Sequence, residues 1–204
     1  AFGIYYGVPP SRMGIEKGIL EYVNDVLRNM RYRHLSLLTL APDGDMEATG
    51  TTNYSHVGTA TLSKAVLGVT MGKQSLLVAT TAASSGVALA VNLPVTSGQV
   101  YDIVVDCLNG NVSQTLTMAA YDITNSATID SVSTSAKGQR YLYLQVTIPS
   151  GCKDLDVRLT DNMTGVTYVW YDNLSIRHAD ATEMSLPSWF DPITCTFEEL
   201  WYLG

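Results

Sequence analysis

Polar and apolar residues alternate with two different periods along this chain of 204 residues. Between residues 15 and 30 the apolar positions recur every third or fourth residue, which predicts an amphipathic helix. From residue 35 to residue 178 they recur every second residue in short runs, which predicts strands that bury one face. Turn sequences such as those at 42–44 and 149–151 separate the runs. About eight or nine such strands predict an all-β fold, an antiparallel β-sandwich.

Three runs show this alternation most clearly. Apolar side chains occupy every second position in 101–107, in 142–148 and in 155–159. Most positions between them are polar. Each run is therefore expected to turn one row of apolar side chains into a common core.

The strand predicted at 166–176 carries an acidic residue among apolar ones. Strict alternation puts Trp170, Asp172, Leu174 and Ile176 on the same side of this strand. Because Leu174 and Ile176 require a core, Asp172 is predicted to enter the sheet on its apolar side. A buried carboxylate needs a cation or several hydrogen-bond donors. Asp172 is therefore the first candidate for a structural ion site.

Two flanking segments differ from the β region. Residues 1–34 contain an extended Gly/Pro/aromatic arm and the predicted helix, residues 35–178 form the β domain, and residues 179–204 form an aromatic-rich arm. Disordered tails are poor in aromatic residues, so the C-terminal arm is predicted to be docked. The apolar face of the N-terminal helix must pack either on its own domain or on a neighbouring chain, and burial of both arms against neighbouring subunits is the preferred prediction. The residues predicted to make these assembly contacts are Tyr5, Tyr6, Ile19, Val23, Val26, Trp189, Phe190 and Trp201.

Composition narrows the possible partners. The formal net charge is −7, and nucleic-acid readers usually show a basic face, so a nucleic-acid partner is not expected. No apolar run approaches the ~20 residues of a membrane-spanning helix, so membrane insertion is not expected either. The chain does not begin with a basic-then-apolar leader, which favours synthesis in the cytosol. The three cysteines lie far apart, without the spacing of a zinc site or a disulfide framework.

Four short segments carry a family resemblance. They are LTLAPDGDME at 38–47, GKQSLLV at 72–78, GQVYDIV at 98–104 and VWYDNLSI at 169–176. In this order they resemble the carbohydrate-binding-module type of β-jelly roll that is attached to bacterial cellulases and xylanases. The resemblance covers residues 38–177 and implies a jelly-roll topology for the sandwich.

The resemblance implies a structural Ca²⁺ site. In that family an acidic residue of the opening strand and one of the closing strand hold the ion, which corresponds to Glu47 and Asp172, with Asp45 as a neighbour. Calcium takes carboxylate and carbonyl oxygens and needs neither His nor Cys. The alternative is that Asp172 accepts hydrogen bonds from backbone N–H groups and that Asp45 caps a turn. The sequence leaves both open.

The resemblance also implies a glycan-binding surface, which needs exposed aromatic rings beside polar side chains. The outward side of strand 141–148 offers three such residues, and Arg158 lies on the polar side of the next strand. Tyr121 joins them if its strand is adjacent, and Tyr54 lies where family members often place a stacking ring. The candidates are Tyr54, Tyr121, Tyr141, Tyr143, Gln145 and Arg158. Alternatively, these tyrosines are ordinary strand formers covered by the helix or by a partner.

No catalytic set stands out, so a non-catalytic role is expected. The three histidines have no carboxylate or nucleophile at a spacing typical of a catalytic site. A small esterase or lyase on a jelly-roll scaffold, which is a third hypothesis, would therefore lack acid–base residues. Small jelly-roll proteins with extended arms are similar to bacteriophage virion components. The leading hypothesis is a structural protein of a virion (capsid decoration, neck or fibre), homo-oligomeric or part of a hetero-assembly, with cell-surface polysaccharide as a further candidate partner. The alternative is a secreted carbohydrate-binding module of a larger polysaccharide-degrading enzyme.

Overall fold

The computed structural model describes residues 39–70, 72–111 and 113–179, and every regular element within them is a β-strand. The predicted helix at 15–30, the arm residues and their assembly contacts lie outside the described residues. No helix long and apolar enough to span a membrane occurs in the described part of the chain. The strands are β1 (Tyr54–Val57), β2 (Thr61–Ala65), β3 (Ser75–Thr80), β4 (Gly86–Leu89), β5 (Leu93–Pro94), β6 (Val100–Asn109), β7 (Leu116–Asp122), β8 (Ala127–Thr134), β9 (Gly138–Thr147), β10 (Asp154–Asp161) and β11 (Thr167–His178).

The strands form two antiparallel sheets. The six-stranded sheet has the order β1-β4-β10-β7-β8, with the short β5 paired to β10, and the five-stranded sheet has the order β2-β3-β11-β6-β9. Every pairing is antiparallel. The prediction of an all-β antiparallel sandwich is confirmed.

The core lies between the two sheets and consists of alternate side chains of each strand. The apolar rows predicted at 101–107, 142–148 and 155–159 are all buried in it, which confirms those assignments. Each such side chain stabilises the fold by about 1.5–3 kcal/mol through removal of apolar surface from water. The intervening side chains of β6 and β9 therefore point away from the core, and they build the outer face of the five-stranded sheet.

A β-bulge in β11 overturns the predicted placement of Asp172. Register with β6 runs through Asp172 opposite Asp106 and resumes at Ser175 opposite Val104, so β11 contains one extra residue. Asn173 in this bulge has φ 51°. An extra residue inverts the side-chain alternation beyond it.

Because of this inversion, the core-facing residues change from odd to even numbers along β11. Val169 and Tyr171 belong to the core before the bulge, and Leu174 and Ile176 belong to it afterwards. The prediction that Asp172 shares a face with Leu174 and Ile176 is wrong. Asp172 lies on the outer face together with Trp170, although it is buried there.

Candidate functional site

Alternate residues of the edge strand β9 form one side of an aromatic surface. Tyr141, Tyr143 and Gln145 point outward, because the residues between them are buried in the core. Tyr141 is 40% exposed, Tyr143 is half-buried and Gln145 is exposed. This confirms that the three share an outward face.

The neighbouring strands supply polar and aromatic partners in register. On β6, Asp102 lies opposite Gln145, and Asp106 lies opposite Tyr141. Side chains directly opposite each other on one face have Cβ atoms about 4.5–5.5 Å apart, which puts each pair within reach of one another. We call this surface the tyrosine face and define it by Asp102, Tyr141, Tyr143, Gln145 and Trp170.

A hydrogen-bonded group orders the β9 side of the tyrosine face. The Tyr143 hydroxyl donates to Asp102 Oδ1 at 2.8 Å, and Gln145 Nε2 donates to the same oxygen at 3.0 Å. Asp102 is only 8% exposed. Hydrogen bonds to an ionised acceptor are stronger than neutral ones, so this carboxylate holds both side chains in one orientation.

Trp170 belongs to the tyrosine face and was missed from the sequence. It lies opposite Leu108 of β6 and Leu77 of β3, with its side chain half-buried. Unbroken alternation assigned it to the core side, and only the bulge reverses that assignment. The one sequence signal is Asn173, because Asn is several-fold enriched among non-glycine residues with positive φ.

The segment between β2 and β3 crosses the tyrosine face over Trp170. Gly68 has φ +77°, and a Cβ at this position would lie 2.5 Å from Trp170 Cβ. A side chain is thus excluded both by the backbone conformation and by the ring beneath it. Two residues further on, Thr70 contacts the acidic pair of the same sheet.

Thr70 joins Asp106 and Asp172, which lie opposite each other. Its hydroxyl oxygen is 2.8 Å from Asp106 Oδ2 and 3.0 Å from Asp172 Oδ2, and its N–H donates to Asp172 Oδ2 at 2.6 Å. Asp172 Oδ1 accepts the N–H of Asn173 at 2.8 Å. The hydrogen bonds from backbone N–H groups that the alternative interpretation required of Asp172 are present.

The other two predicted calcium ligands are also bound by backbone N–H groups. Glu47 Oε1 accepts from Lys73 at 2.6 Å and from Gln74 at 2.9 Å, and Asp45 Oδ1 accepts from Glu47 at 3.3 Å. Within the described ranges, no three Asp, Glu, His or Cys side chains form a group that could hold a metal. The three predicted carboxylates therefore do not converge on one centre, and calcium binding stays a prediction.

Tyr54 is part of the core instead of an exposed stacking surface. It is 6% exposed, and its hydroxyl donates to the carbonyl oxygen of Asp43 at 2.7 Å. Burial, with a smaller contribution from nearby carboxylates, raises its pKa far above the ordinary value. The position of Tyr54 at the start of a strand gave no sign of which way the ring would turn, and its ring presents no face to a ligand.

Tyr121 and Arg158 lie on the opposite side of the sandwich. Their strands β7 and β10 pair in the six-stranded sheet, and Arg158 Cζ stacks 3.3 Å from the centre of the Tyr121 ring. Arg158 Nε also donates to Asp156 Oδ2 at 3.0 Å. The expectation that Arg158 stands beside strand 141–148 is wrong, because the chain crosses to the other sheet between β9 and β10.

Among the described residues, the Asp, Glu, Lys and Arg side chains that point outward from the strands of the five-stranded sheet are mostly acidic. They are Asp102, Asp106 and Asp172 against Arg177, which lies opposite Asp102. Aromatic rings beside ordered acceptors suit a polar ligand that has apolar faces.

The six residues predicted for one glycan-binding surface divide into three at the tyrosine face, two on the opposite sheet and one in the core.

Neither a family model nor a curated protein matches the sequence. The structure is similar to the C-terminal family 22 carbohydrate binding module of Clostridium thermocellum Xyn10B, with 21% identity, TM-score 0.52, and coverage of 70% of this chain and 100% of that chain. It is also similar to TmCBM61 in complex with β-1,4-galactotriose (11% identity, TM-score 0.52, 69% and 98% covered). A third similar structure is the enzymatically active domain of Bacteriophage CBA120 tailspike protein 4 (12% identity, TM-score 0.55, 71% and 22% covered). The chain has the β-sandwich jelly-roll fold of carbohydrate-binding modules.

Proposed function

We propose that this chain is a carbohydrate-binding module that holds a glycan on the tyrosine face without catalysing a reaction. The observation that carries the proposal is the placement of Tyr141 and Tyr143 beside an ordered carboxylate and amide on one outward face. The shared fold supports it, since similar structures include modules named for binding xylan or solved with β-1,4-galactotriose.

The rings supply the apolar part of the contact. Tyr141 and Tyr143 are two residues apart on β9, so their Cα atoms are separated by about 7 Å along the strand. The apolar faces of sugar rings stack on aromatic rings, and this separation lets one oligosaccharide contact both. Trp170 extends the aromatic area towards β3.

The polar groups supply orientation. Asp102 fixes Tyr143 and Gln145 before any ligand arrives. Side chains that are ordered in advance lose less conformational entropy on binding. A glycan can therefore be bound by a small number of hydroxyl contacts in addition to stacking.

Affinity electrophoresis in gels containing xylan or β-1,4-galactan tests the proposal. We expect retention of the wild-type chain by at least one of these polysaccharides and its loss in Tyr143→Ala. Tyr121→Ala is the matched control, because that ring lies on the opposite sheet. Retention that is lost in Tyr121→Ala and kept in Tyr143→Ala would place the site elsewhere, and no retention on a broader glycan array would remove the proposal.

The virion-assembly hypothesis stays a prediction beside this proposal. It rests on arm residues at 1–34 and 179–204 that lie almost entirely outside the described residues. The likeness to the phage tailspike domain, at 12% identity, is a likeness of fold and supports glycan binding no less than assembly. Glycan binding is the better supported function because it draws on described side chains.

A further inference from the structure

Two side-chain donors of the tyrosine face converge on one oxygen atom. Asp102 Oδ1 accepts the hydroxyl of Tyr143 and Nε2 of Gln145, at 2.8 Å and 3.0 Å. Asp102 and Gln145 are directly opposite each other on β6 and β9, and Tyr143 is the next outward residue. The arrangement is thus set by the strand register and not by a flexible loop.

This convergence determines which hydrogen-bonding groups the site can offer to a ligand. A tyrosine hydroxyl has one hydrogen, and that of Tyr143 is directed to Asp102, so its oxygen acts as an acceptor elsewhere. The Gln145 amide turns Nε2 to Asp102, which directs Oε1 away from it. Asp102 Oδ2 is a further acceptor. Apart from the second Nε2 hydrogen, this group of three side chains presents acceptors.

The charge of the face acts in the same direction. Asp102 is a carboxylate, and Asp106 and Asp172, which bind Thr70, lie on the same outer face, with Arg177 opposite Asp102 on β11. A carboxylate or sulfate on the ligand has only acceptors to offer and carries a like charge, which disfavours binding. A sugar hydroxyl donates a hydrogen bond and carries no charge.

We propose that Asp102 is a positioning residue that makes the tyrosine face an array of acceptors, so that it selects glycans with free hydroxyl groups over uronic or sulfated ones. This inference rests on the proposed function and adds the class of sugar that is bound. Asp102 acts through its own carboxylate and by orienting Tyr143 and Gln145, and its substitution should change selectivity more than the fold.

Two derivatives of one xylan, hydroxyethylated and carboxymethylated to the same degree, provide the test. They share a backbone and differ in charge and in the terminal group of the substituent. We expect isothermal titration at low salt to show that the wild type binds the neutral derivative about tenfold more tightly. Asp102→Asn can donate through its amide, so we expect the ratio to fall to about threefold or less.

Controls separate this inference from the proposed function. Tyr143→Phe keeps the aromatic ring at this position and the carboxylate of Asp102. It should therefore keep most of the preference for the neutral over the carboxymethylated derivative. If Asp102→Asn melts too low for titration, the wild-type ratio is measured in added salt instead, where screening should reduce it. Equal wild-type affinity for both derivatives, an unchanged ratio in Asp102→Asn, or a ratio insensitive to salt overturns the inference and leaves glycan binding intact. Failure of the wild type to bind either derivative or unmodified polysaccharide overturns both.

Discussion

The ammonium group of Lys64 lies 2.7 Å from the carboxylate of Asp43, in an ion pair whose side chains are 11% and 1% exposed. Lys64 Nζ also donates to the carbonyl oxygen of Met46 at 2.6 Å. Asp43 accepts the N–H of Ala48 through its other carboxylate oxygen, and its carbonyl accepts the hydroxyl of Tyr54. One lysine of β2 thereby holds the turn that precedes β1.

Replacement of Lys64 by Met should destabilise the fold strongly. The variant leaves the Asp43 carboxylate buried without its cation, which costs about 3–5 kcal/mol. Urea denaturation monitored by tryptophan fluorescence gives the free energy of unfolding. Lys73→Met is the matched control, since that side chain is exposed. A loss below about 1 kcal/mol in Lys64→Met would mean that the pair behaves as a surface salt bridge.

Gly68→Ala should damage both stability and glycan binding. The new methyl group would clash with Trp170 Cβ, and the residue must also keep a positive φ. The loss in the free energy of unfolding should therefore exceed the contribution of the backbone conformation alone, which is about 1–2 kcal/mol. Gly98→Ala measures that backbone contribution by itself, because Gly98 has φ +84° and a Cβ at this position would have no neighbouring atom within 4 Å. We expect Gly68→Ala to unfold at lower urea than Gly98→Ala and to bind polysaccharide more weakly. Equal behaviour of the two variants would show that the contact with Trp170 is readily relieved.

The free energy of unfolding should decrease at alkaline pH, and ionisation of the Cys107 thiol should cause part of this decrease. Burial, with a smaller effect of Asp106, raises the pKa of this thiol from 9.0 to about 12. Between these values the unfolded chain releases the proton and the folded chain keeps it, so the free energy of unfolding decreases as pH rises, by up to about 1.4 kcal/mol per pH unit for this group. Below the lower value the thiol contributes no pH dependence.

Cys107→Ala separates this contribution from that of the buried tyrosines. The variant loses packing at every pH but has no thiol to titrate. We expect the stability difference between wild type and variant to be constant from pH 7 to about pH 9 and to narrow above it. Denaturation curves at a series of pH values measure the difference, and a constant difference up to pH 11 would show that Cys107 ionises equally easily in both states.

Calcium remains to be tested on the predicted residues Glu47, Asp172 and Asp45. If an ion is bound, chelator should lower the melting temperature, since a ligand at about a hundred times its Kd stabilises by about 2.7 kcal/mol. Asp172→Ala should abolish the difference between chelated and calcium-loaded protein. An identical melting curve with and without chelator would exclude a stabilising ion and leave the N–H donors as the partners of these carboxylates.

Light scattering after size exclusion tests the assembly prediction. If the arms bind neighbouring subunits, the full chain should elute as an oligomer or associate on concentration. A double variant with Trp189→Ala and Trp201→Ala should associate less than the wild type, whereas Tyr121→Ala should associate as the wild type does. A monomer at all concentrations would count against assembly with copies of the same chain.

Sequence reasoning succeeded where strands are regular and failed where the register changes. The rows at 101–107 and 142–148 were assigned correctly, and with them the outward Tyr141, Tyr143 and Gln145. The placement of Trp170 failed, because it was inferred from Leu174 and Ile176 across an extra residue that inverts the alternation between them, and the asparagine at 173 is the one local mark of that bulge. The prediction for Tyr54 failed for a different reason, since the direction of its ring depends on a hydroxyl contact with the turn at Asp43, outside the strand that carries it.

The sequence by itself determined that this protein is a sandwich of antiparallel strands and which side chains of each regular strand are buried, because alternation is a property of the extended backbone. Only the tertiary structure decided which strands share a sheet. The strands β9 and β10 follow each other in the chain but lie in different sheets. Tyr143 of β9 and Arg158 of β10 therefore face opposite sides of the sandwich. The meeting of Asp102 with Tyr143 and Gln145 likewise depends on pairing between strands about forty residues apart. Long-range register, unlike strand periodicity, is set by the packing of the whole core.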